Sequence, residues 1–480
     1  MRVKELENVA GYIEEFALTK RCDAHSVCKF TMSVRESDAE KIIGMVGLPI
    51  SVFPDGTDMQ PVFFGEVSKI TFERTFSRTR IFFIAVSRTK LLDEKTYTRV
   101  FQNPEKKIGE VLSAVRLAIS GCNLLIEDEL KVLAYPHILL QSQETNFQFI
   151  KRLAGYAGRR LWIVDTRQGN PEIVIGTSIE ETDTKILPTD ILQCSAEYSA
   201  AGKRMRIVAR TPFSFGRVVQ IGNDLTKFLV AGWELRLVHG VDRFFYDLEE
   251  YKPKPIQWNT MPLEKSVKLR AHVKDVNDPK YMGRVMVEIV QEDAEDKDTK
   301  KAWIPYRSPY SGTDGGIVFL PDKGDTVEVI FLNGEIFVAS TLREKSLNEE
   351  CKNVTEKYIG NNFKQRILWK EKSLEICSDK NRIYLDKDMI ELSVGESKIM
   401  IDKHGISLKT NGNEALLDEE GIRFQSGNGF LAHSKRDMKI ESNSSLSLLA
   451  SNKTQLQGSN VVVKASGGNV DISGSNVRIN

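Results

Sequence analysis

The stretch from Lys435 to Asn480 reads KRDMKIESNSSLSLLASNKTQLQGSNVVVKASGGNVDISGSNVRIN, and it decides the fold of this chain. It contains couplets of mostly apolar residues separated by one position, and each couplet begins seven to nine positions after the previous one. A spacing of two puts both side chains on one face of a strand, and the Ser, Asn and Gly between couplets indicate turns. The couplets are Met438/Ile440, Leu446/Leu448, Thr454/Leu456, Val461/Val463, Val470/Ile472 and Val477/Ile479.

Repetition at roughly 8 residues predicts a stacked β-solenoid, in which no single rung buries its own apolar face. Two or three apolar residues per rung are few for a coil with its own core. An intertwined oligomer, in which several chains close one shared prism, would supply the missing contacts. The same paired alternation continues upstream, so we predict a β-helical needle over residues 365–480. Its upstream positions are Ile367, Leu374, Ile376, Ile383, Leu385, Ile390, Leu392, Ile399, Ile401, Ile406 and Leu408.

Length and charge limit the possible classes of protein. A chain of 480 residues predicts about three domains, at one per roughly 150 residues. The 67 basic and 66 acidic residues nearly cancel, so no overall field attracts nucleic acid or anionic lipid. The start of the sequence has no apolar signal segment, and the apolar run Ile81–Val86 is too short to span a membrane. We therefore expect synthesis in the cytoplasm, with the six cysteines as reduced thiols.

Residues 1–255 are predicted to form a strand-rich barrel with two helices. Alternating apolar segments such as CKFTMSV and RIFFIAVS, divided by turns, indicate a β-meander. Residues 105–119 have the apolar spacing of a helix, with Pro104 just before them. A second helix follows Thr145 or Asn146 as its cap, and Gly158 suits its C-terminal end. We call this segment the hub.

Residues 260–345 are predicted to form a small OB-type barrel. Five strands are expected, in VKLRAHVKDV, GRVMVEIV, AWIPYRS, GIVFLP and DTVEVIFL, with EIFVAS completing the last hairpin. Their turns are rich in Gly, Asp and Asn, and five strands in roughly 75 residues fit an OB-fold. Residues 346–364 are polar and charged, and we assign them to a linker. The fold class is thus mostly β: a barrel hub with two helices, an OB collar and an intertwined trimeric needle.

Several phrases resemble the VgrG spike proteins of type VI secretion and related contractile injection systems. In the hub these are TYTRVFQNPEKKIGEVLSAV and LLQSQETNFQFIKRLAGYAG. In the OB segment, Gly283, Trp303, Pro321 and Gly324 stand at the positions of that family's pattern. In the needle, SKIMIDKHGISLKT resembles the start of the VgrG spike blade.

The resemblance implies a homotrimeric spike that punctures target membranes. Such a spike would sit on the stacked inner-tube protein, contact baseplate proteins through its hub, and carry effectors or their adaptors. A PAAR-like tip protein would cap the last rung, whose open strand edges we expect at Val477, Arg478, Ile479 and Asn480. The protein would assemble in the bacterial cytoplasm and then be secreted or injected into a target cell.

No catalytic motif was found. GxxxxGK[ST], HExxH and GxSxG are all missing from the sequence, so we expect no enzyme activity, no cofactor and no catalytic residue. The six histidines are scattered without metal-ligand spacing. His404 and His433 are interpreted as solvent-facing turn residues, although a triad around a three-fold axis could bind a metal or an anion.

Three alternatives stay open on the sequence alone. An OB barrel can bind nucleic acid, but GRVMVEIV offers one arginine and no aromatic residue, and core packing explains Trp303 and Tyr306. A trimeric phage spike enzyme that cleaves surface polysaccharide would need aromatic side chains on the needle, which has only Trp369, Tyr384, Phe424 and Phe430. The sequence does not separate a type VI spike from the hub and spike of a phage particle.

Overall fold

The computed structural model of this chain divides into two compact units, Met1–Lys345 and Ser346–Asn480, which are considered separately. It describes residues 1–54, 61–74, 78–103, 105–117, 122–135, 138–167, 169–200, 202–256, 266–290, 301–313, 316–332, 335–344, 353 and 355–479. Among these residues, no helix is both long and apolar enough to cross a bilayer.

The first unit is mostly β and includes four α-helices within its described residues. Its strands are β1 (Arg2–Val3), β2 (Gly11–Arg21), β3 (Val27–Val34), β4 (Pro49–Phe53), β5 (Phe63–Arg74), β6 (Thr79–Val86), β7 (Thr96–Phe101), β8 (Asn123–Ile126), β9 (Leu139–Thr145), β10 (Arg160–Val164), β11 (Glu172–Gly176), β12 (Glu180–Ile186), β13 (Ile191–Ser199), β14 (Gly202–Ala209), β15 (Arg217–Ile221), β16 (Lys227–Val238), β17 (Val241–Glu250), β18 (Val267–Asp275), β19 (Arg284–Ile289), β20 (Ala302–Pro305), β21 (Thr326–Leu332) and β22 (Glu335–Leu342). The helices are α1 (Glu36–Ile43), α2 (Ile108–Leu117), α3 (Asp128–Lys131) and α4 (Asn146–Tyr156).

The hub is built on one large sheet. Its central run is β5-β6-β3-β2-β16-β17-β14-β13, and every neighbouring pair in that run is antiparallel. β4 and β1 continue beyond β5, while β12 and β15 branch off at β16. Alternate residues of these strands are buried together, among them Leu18, Phe83, Leu235 and Tyr246.

The helices of the hub gather around a second core. α2, α3 and α4 pack against the small sheet β10-β11-β8, with Leu112, Ile150 and Leu153 buried between them. The two predicted helices are present, although α2 begins at Ile108 and Pro104 lies outside the described residues. Thr145 caps α4 as expected: its hydroxyl accepts from the Gln148 amide, and the Gln148 side chain accepts from the Thr145 amide. The short α1 and α3 were not anticipated.

The OB segment forms the predicted five-stranded barrel, with one strand assigned differently. The order is β20-β19-β18-β21-β22, and a bridge between Tyr306 and Val338 joins the two end strands. GIVFLP was predicted as a strand, but residues 317–321 form no backbone ladder with any described strand. The fifth strand of the barrel is β22 instead. Ile317 donates its amide to the Tyr310 carbonyl across a local loop, and Pro321 cannot donate to a ladder. The strand prediction for this segment was therefore wrong.

The second unit is an antiparallel meander of nine strands. They are β23 (Lys357–Gly360), β24 (Gln365–Trp369), β25 (Ser373–Ser378), β26 (Asn381–Asp386), β27 (Met389–Val394), β28 (Ser397–Asp402), β29 (Gly405–Thr410), β30 (Asn413–Asp418) and β31 (Gly421–Gln425). β23 lies inside residues 346–364, the segment that the sequence analysis assigned to the linker. Each strand from β26 to β31 begins eight residues after the previous one, so the predicted period is present, but successive strands form hairpins rather than the parallel rungs of a solenoid. Residues 426–479 form no strand within one chain.

Candidate functional site

The meander has one face of mostly apolar side chains. The opposite face, here called the polar face, is mixed, with charged and polar residues alongside Leu368, Met400 and Leu416. Cross-strand pairing aligns Ile390 with Ile401 and Leu392 with Ile399, and the next hairpin aligns Ile401 with Ile406 and Ile399 with Leu408. Because successive residues of a strand point to opposite sides, these side chains share one surface, here called the apolar face. Its members are Ile367, Trp369, Leu374, Ile376, Ile383, Leu385, Ile390, Leu392, Ile399, Ile401, Ile406, Leu408, Ala415, Leu417, Ile422 and Phe424.

Two kinds of turn keep this register. On one edge, the carboxylates of Asp386, Asp402 and Asp418 each accept two backbone N–H groups of the following turn, at 2.8–3.1 Å. On the other edge, Asp379 and Gly395 adopt positive φ angles of 53° and 58°, as tight two-residue turns require. Since both turns have fixed length, every strand begins in the same phase and no apolar residue slips to the other face.

The apolar face is the more exposed of the two. Ile390, Leu392, Ile399 and Leu408 expose between 40% and 42% of their surface. On the polar face, by contrast, Ser407 is only 5% exposed. One chain therefore covers its polar face better than its apolar face, the reverse of a stable monomeric sheet.

Ion pairs join neighbouring strands on the polar face. The Glu391 carboxylate lies 3.8 Å from Arg382 and 3.6 Å from Lys398. Lys370 donates to Glu375 at 2.8 Å. Burial favours a higher pKa for Glu375, but the Lys370 hydrogen bond and the charge of nearby Arg382 outweigh it, so the pKa lies below its usual value. These partners lie diagonally across neighbouring strands, a separation that long side chains bridge, so the ion pairs support the register of the strands.

A groove of about 560 Å³ lies on the apolar face. Its lining includes Leu392, Ile399, Leu408 and Phe424, and Phe430 approaches Phe424 with ring centroids 5.7 Å apart. Glu414 is the one carboxylate among the lining residues. Most glycosidases need a pair of carboxylates flanking the scissile bond, so this groove lacks the chemistry of the polysaccharide-cleaving alternative.

The couplets of the quoted stretch remain uncovered in one chain. Met438, Leu446, Val463 and Ile472 expose 54–72% of their surface, and no ladder joins residues 426–479 to one another. Of the four predicted tip residues, Val477 and Ile479 expose 52% and 89%, and Arg478 is exposed as well. Asn480 lies outside the described residues.

The two needle histidines stand apart from each other. His404 occupies the turn capped by Asp402, and His433 is exposed. Within the described part of the chain, no three His, Cys, Asp or Glu side chains converge as metal ligands. Nor does a disulfide join any of the described cysteines.

A histidine network in the hub was missed by the sequence analysis. His25 contacts the Thr89 hydroxyl at 2.8 Å and the Asp93 carboxylate at 2.9 Å, and Thr145 donates to the same carboxylate at 2.5 Å. Burial lowers the pKa of His25, while the Asp93 hydrogen bond opposes that shift. The three residue types could form a hydrolase triad, but Thr89 is only 1% exposed. The network instead joins the loop after β2 to the cap of α4, and no spacing in the sequence could have revealed it.

The outer surface of the OB barrel presents an aromatic residue with a cation. Trp303 pairs with Met286 across β19 and β20, and the Arg284 guanidinium lies 5.9 Å from the Trp303 ring centre. Tyr306 packs against the OB core as predicted. Trp303 alternates with the buried Ile304 and therefore points away from the core, so its assignment to core packing was wrong.

Asp278 organises the loop between β18 and β19. Its carboxylate accepts the backbone amides of Lys280 and Met282 at 3.0 and 2.9 Å, and two bonds from the Arg284 guanidinium at 2.6 and 3.0 Å. The Arg284 hydrogen bonds, joined by the backbone amides, hold the pKa of Asp278 well below its usual range. Tyr281, at the loop tip, is 95% exposed and has a φ of +52°.

We expect the Asp278 loop to open in acid. A carboxyl whose folded pKa is depressed stabilises the fold above its unfolded pKa of about 3.9, and this stabilisation is lost as the pH falls toward the folded value. Asp278→Asn should therefore speed hydrogen exchange across residues 276–286 at pH 6, and the gap to wild type should shrink below about pH 4. Asp379→Asn, in an exposed needle turn, is the control that should change nothing in this loop. A gap of equal size at both pH values would contradict the role of the carboxylate.

Comparison with known proteins gives one family match and several structural matches. Residues 269–342 match the family of the type VI secretion system/phage-baseplate injector OB domain. No curated protein matches the chain by sequence.

The structural matches span most of the chain. One is an Escherichia coli protein, c3393, described as a component of the type VI secretion system with structural similarity to the T4 bacteriophage tail proteins gp27 and gp5. It is 12% identical, with a TM-score of 0.54 over 72% of this chain and 100% of that one. Another is the lidded PdpA-VgrG complex of Francisella, 10% identical, with a TM-score of 0.52 over 87% of this chain and 76% of that one. The lidless PdpA-VgrG complex matches at the same identity and TM-score, over 87% of this chain and 94% of that one.

Identities this low establish the fold and leave the activity to be argued. The chain has the mostly-β fold of VgrG-type and phage-tail hub–spike proteins, with an injector OB domain in its middle. The resemblance predicted from the sequence is thereby confirmed, and so is the predicted mostly-β class with an OB barrel.

Proposed function

We propose that this chain is the hub and spike subunit of a contractile injection machine, and that three copies close their needles around one shared core. The observation that carries the proposal is the inverted burial of the meander. Its apolar face is about 40% exposed at Ile390, Leu392, Ile399 and Leu408, while Ser407 on the opposite face is buried. A second and third copy facing the first would cover this surface with side chains of the same kind.

The quoted stretch supports intertwined chains. Residues 426–479 form no backbone ladder with the described residues of one chain, and backbone N–H and C=O groups require partners when they are buried. Winding three chains around one axis would give each strand its neighbours and would place every couplet, from Met438/Ile440 to Val477/Ile479, toward the centre. Such a prism has no free lateral edge.

A closed prism suits a mechanical task. With all backbone hydrogen bonds formed around the axis, the needle would resist bending and fraying while it punctures a target membrane. The force would come from a contracting sheath, and the hub would contact the inner-tube protein and the baseplate. A PAAR-like tip protein would cover the apolar surface at Val477 and Ile479, and effectors or their adaptors would travel with the spike. On this proposal the protein assembles in the bacterial cytoplasm and is then delivered into the target cell, as a carrier rather than a catalyst.

The mass of the purified chain in solution tests the proposal. We expect light scattering coupled to size exclusion to give three times the 54.3 kDa of one chain, with no change on dilution to micromolar concentration. A mass of one chain at every concentration would refute the shared core. A mass of two chains would refute the three-fold needle in particular.

A further inference from the structure

A lysine and an aspartate lie side by side inside the hub. Lys20 is on β2, and its side chain points to the same side as the buried Phe16 and Leu18. Its ammonium contacts the carboxylate of Asp165, the residue that follows β10. The two side chains expose 4% and 0% of their surface. A charged pair is therefore held on a side of the sheet where the hub otherwise buries apolar residues.

Backbone hydrogen bonds fix the position of both residues. The Asp165 carbonyl accepts the amide of Phe64 on β5 at 2.6 Å. On β10, Leu161 donates its amide to the Asp23 carboxylate at 2.8 Å, and its carbonyl accepts the Asp23 amide at 2.8 Å. Because Asp23 comes two residues after the end of β2, these bonds hold that end against β10. Lys20 and Asp165 are thus brought together by the backbone, which makes their encounter effectively intramolecular and oriented.

The pair lacks the partners that a buried ion pair needs. An ammonium group has three N–H donors, and a carboxylate has two acceptor oxygens. Among the described residues, the Asp165 carboxylate is the one hydrogen-bond acceptor of Lys20, and its second oxygen, Oδ2, has no partner. Burial of two charges is costly unless further hydrogen bonds satisfy the remaining donors and acceptors. An ion pair therefore fits poorly at this place in the hub.

An amide between the two side chains fits the same surroundings better. It has one N–H and one carbonyl oxygen in place of three donors and two acceptors. It is also uncharged, so its burial costs far less than the burial of an ammonium and a carboxylate. The Trp233 ring, with its centre 5.9 Å from Nζ, can pack against either form. Condensation would remove the unsatisfied groups that the ion pair leaves in the core.

We propose that Lys20 and Asp165 condense into an isopeptide bond inside the folded hub. One proton passes from the ammonium to the carboxylate, and the neutral Nζ then attacks Cγ of Asp165, so that an N–C bond forms. A second proton moves from the nitrogen to the hydroxyl, the C–O bond breaks, and water leaves. The oxygen of that water comes from Asp165 and both of its protons come from Lys20. The step needs no oxidant, reductant or third reactant.

Cys28 lies beside the pair without competing in this step. It pairs with Leu18 across β2 and β3, and it is fully buried. Burial raises the pKa of the Cys28 thiol, and the charge of Asp165 adds to the shift. The thiolate is the nucleophilic form of cysteine. Because Cys28 stays a neutral thiol, Nζ of Lys20 has the carboxyl carbon to itself.

The bond would join the two cores of the hub. β2 contributes Phe16 and Leu18 to the core of the large sheet, whereas β10 contributes Leu161 and Ile163 to the core around the helices. A covalent link between the two strands closes a long loop of chain and lowers the entropy of the unfolded state. The inference concerns one chain by itself, so it stands apart from the proposed trimer.

Mass spectrometry of the full-length chain under denaturing conditions tests the bond. We expect the wild-type chain to be lighter than its sequence mass by one water, and a tryptic digest to contain one branched peptide with both Lys20 and Asp165. Lys20→Met and Asp165→Ala should each have the full mass of their sequence whether or not they fold, because one partner is missing. The control is Lys29→Met, which removes an exposed lysine from the neighbouring strand β3 and should keep the deficit.

Two results would overturn the isopeptide bond. One is a wild-type chain of full sequence mass that yields separate tryptic peptides for Lys20 and Asp165. The other is a deficit of one water that persists in Asp165→Ala, since the lost water would then come from another residue. A lighter chain that yields the branched peptide supports the bond, whatever number of copies light scattering finds in the assembly.

Discussion

Replacing Leu408 by lysine is expected to break the trimer into single chains. Leu408 sits in the middle of the apolar face, aligned with Ile399 and Ala415 of the neighbouring strands, and it is 42% exposed in one chain. A monomer would tolerate the substitution, since the lysine can reach water. In a shared core the same change loses the burial of the remaining exposed part of the leucine, about 1 kcal/mol per chain, and it places three unpaired ammonium groups near one axis, which costs far more.

The matched control for this variant is Gln425→Lys. Gln425 lies on the polar face, opposite Glu414, where an added cation faces a carboxylate. Light scattering should give a single-chain mass for Leu408→Lys and an unchanged trimer for Gln425→Lys. If the two variants keep the same mass, the apolar face is not the trimer core. Far-UV circular dichroism should show that the hub stays folded in both variants.

Removing residues 460–480 is expected to leave a trimer that no longer binds a PAAR-like cone protein. All nine strands of the meander and three of the six couplets lie before residue 460, so the shared core should survive the deletion. The lost segment carries Val477 and Ile479, which we propose as the docking surface. Binding should fall below detection in a pull-down with purified cone protein, while light scattering still reports three chains. Retained binding would place the tip site elsewhere.

Point substitutions sharpen the same prediction. Ile479→Asp puts a carboxylate on the proposed docking surface, whereas Ser475→Asp adds the same charge between couplets. We expect the first to weaken cone binding at least tenfold, about 1.4 kcal/mol, and the second to have no effect. Equal binding by both variants would contradict a role for Ile479.

The repeat of the needle was readable from the sequence, but its strand connections were not. Couplets such as Ile399/Ile401 and Ile406/Leu408 alternate at period two, so the sequence predicts which side chains share a face. Whether successive strands stack in parallel or fold back depends on the turns. Here the Asp402 cap and the positive φ at Gly395 close two-residue hairpins. The couplets have the same local sequence pattern whether the strands stack in parallel or fold back as hairpins.

The hub likewise has features that the sequence predicted and features that it could not. The capped helix α4 was predicted because its cap candidates Thr145 and Asn146 and its end signal Gly158 lie within one short stretch of chain. The His25–Asp93–Thr145 network joins residues up to 120 positions apart, and only the packing of the loop after β2 against α4 brings them together. Trp303 was misassigned because a short strand with an apolar residue on each side does not reveal which side is the core.

Taken alone, the sequence determined the mostly-β class, the eight-residue period of the needle and the faces of its strands, because alternation and turn residues are local properties of the chain. The tertiary structure decided which of those faces one chain leaves uncovered. That depends on how the strands are arranged in space: Leu408 is exposed because one chain supplies a single layer of sheet.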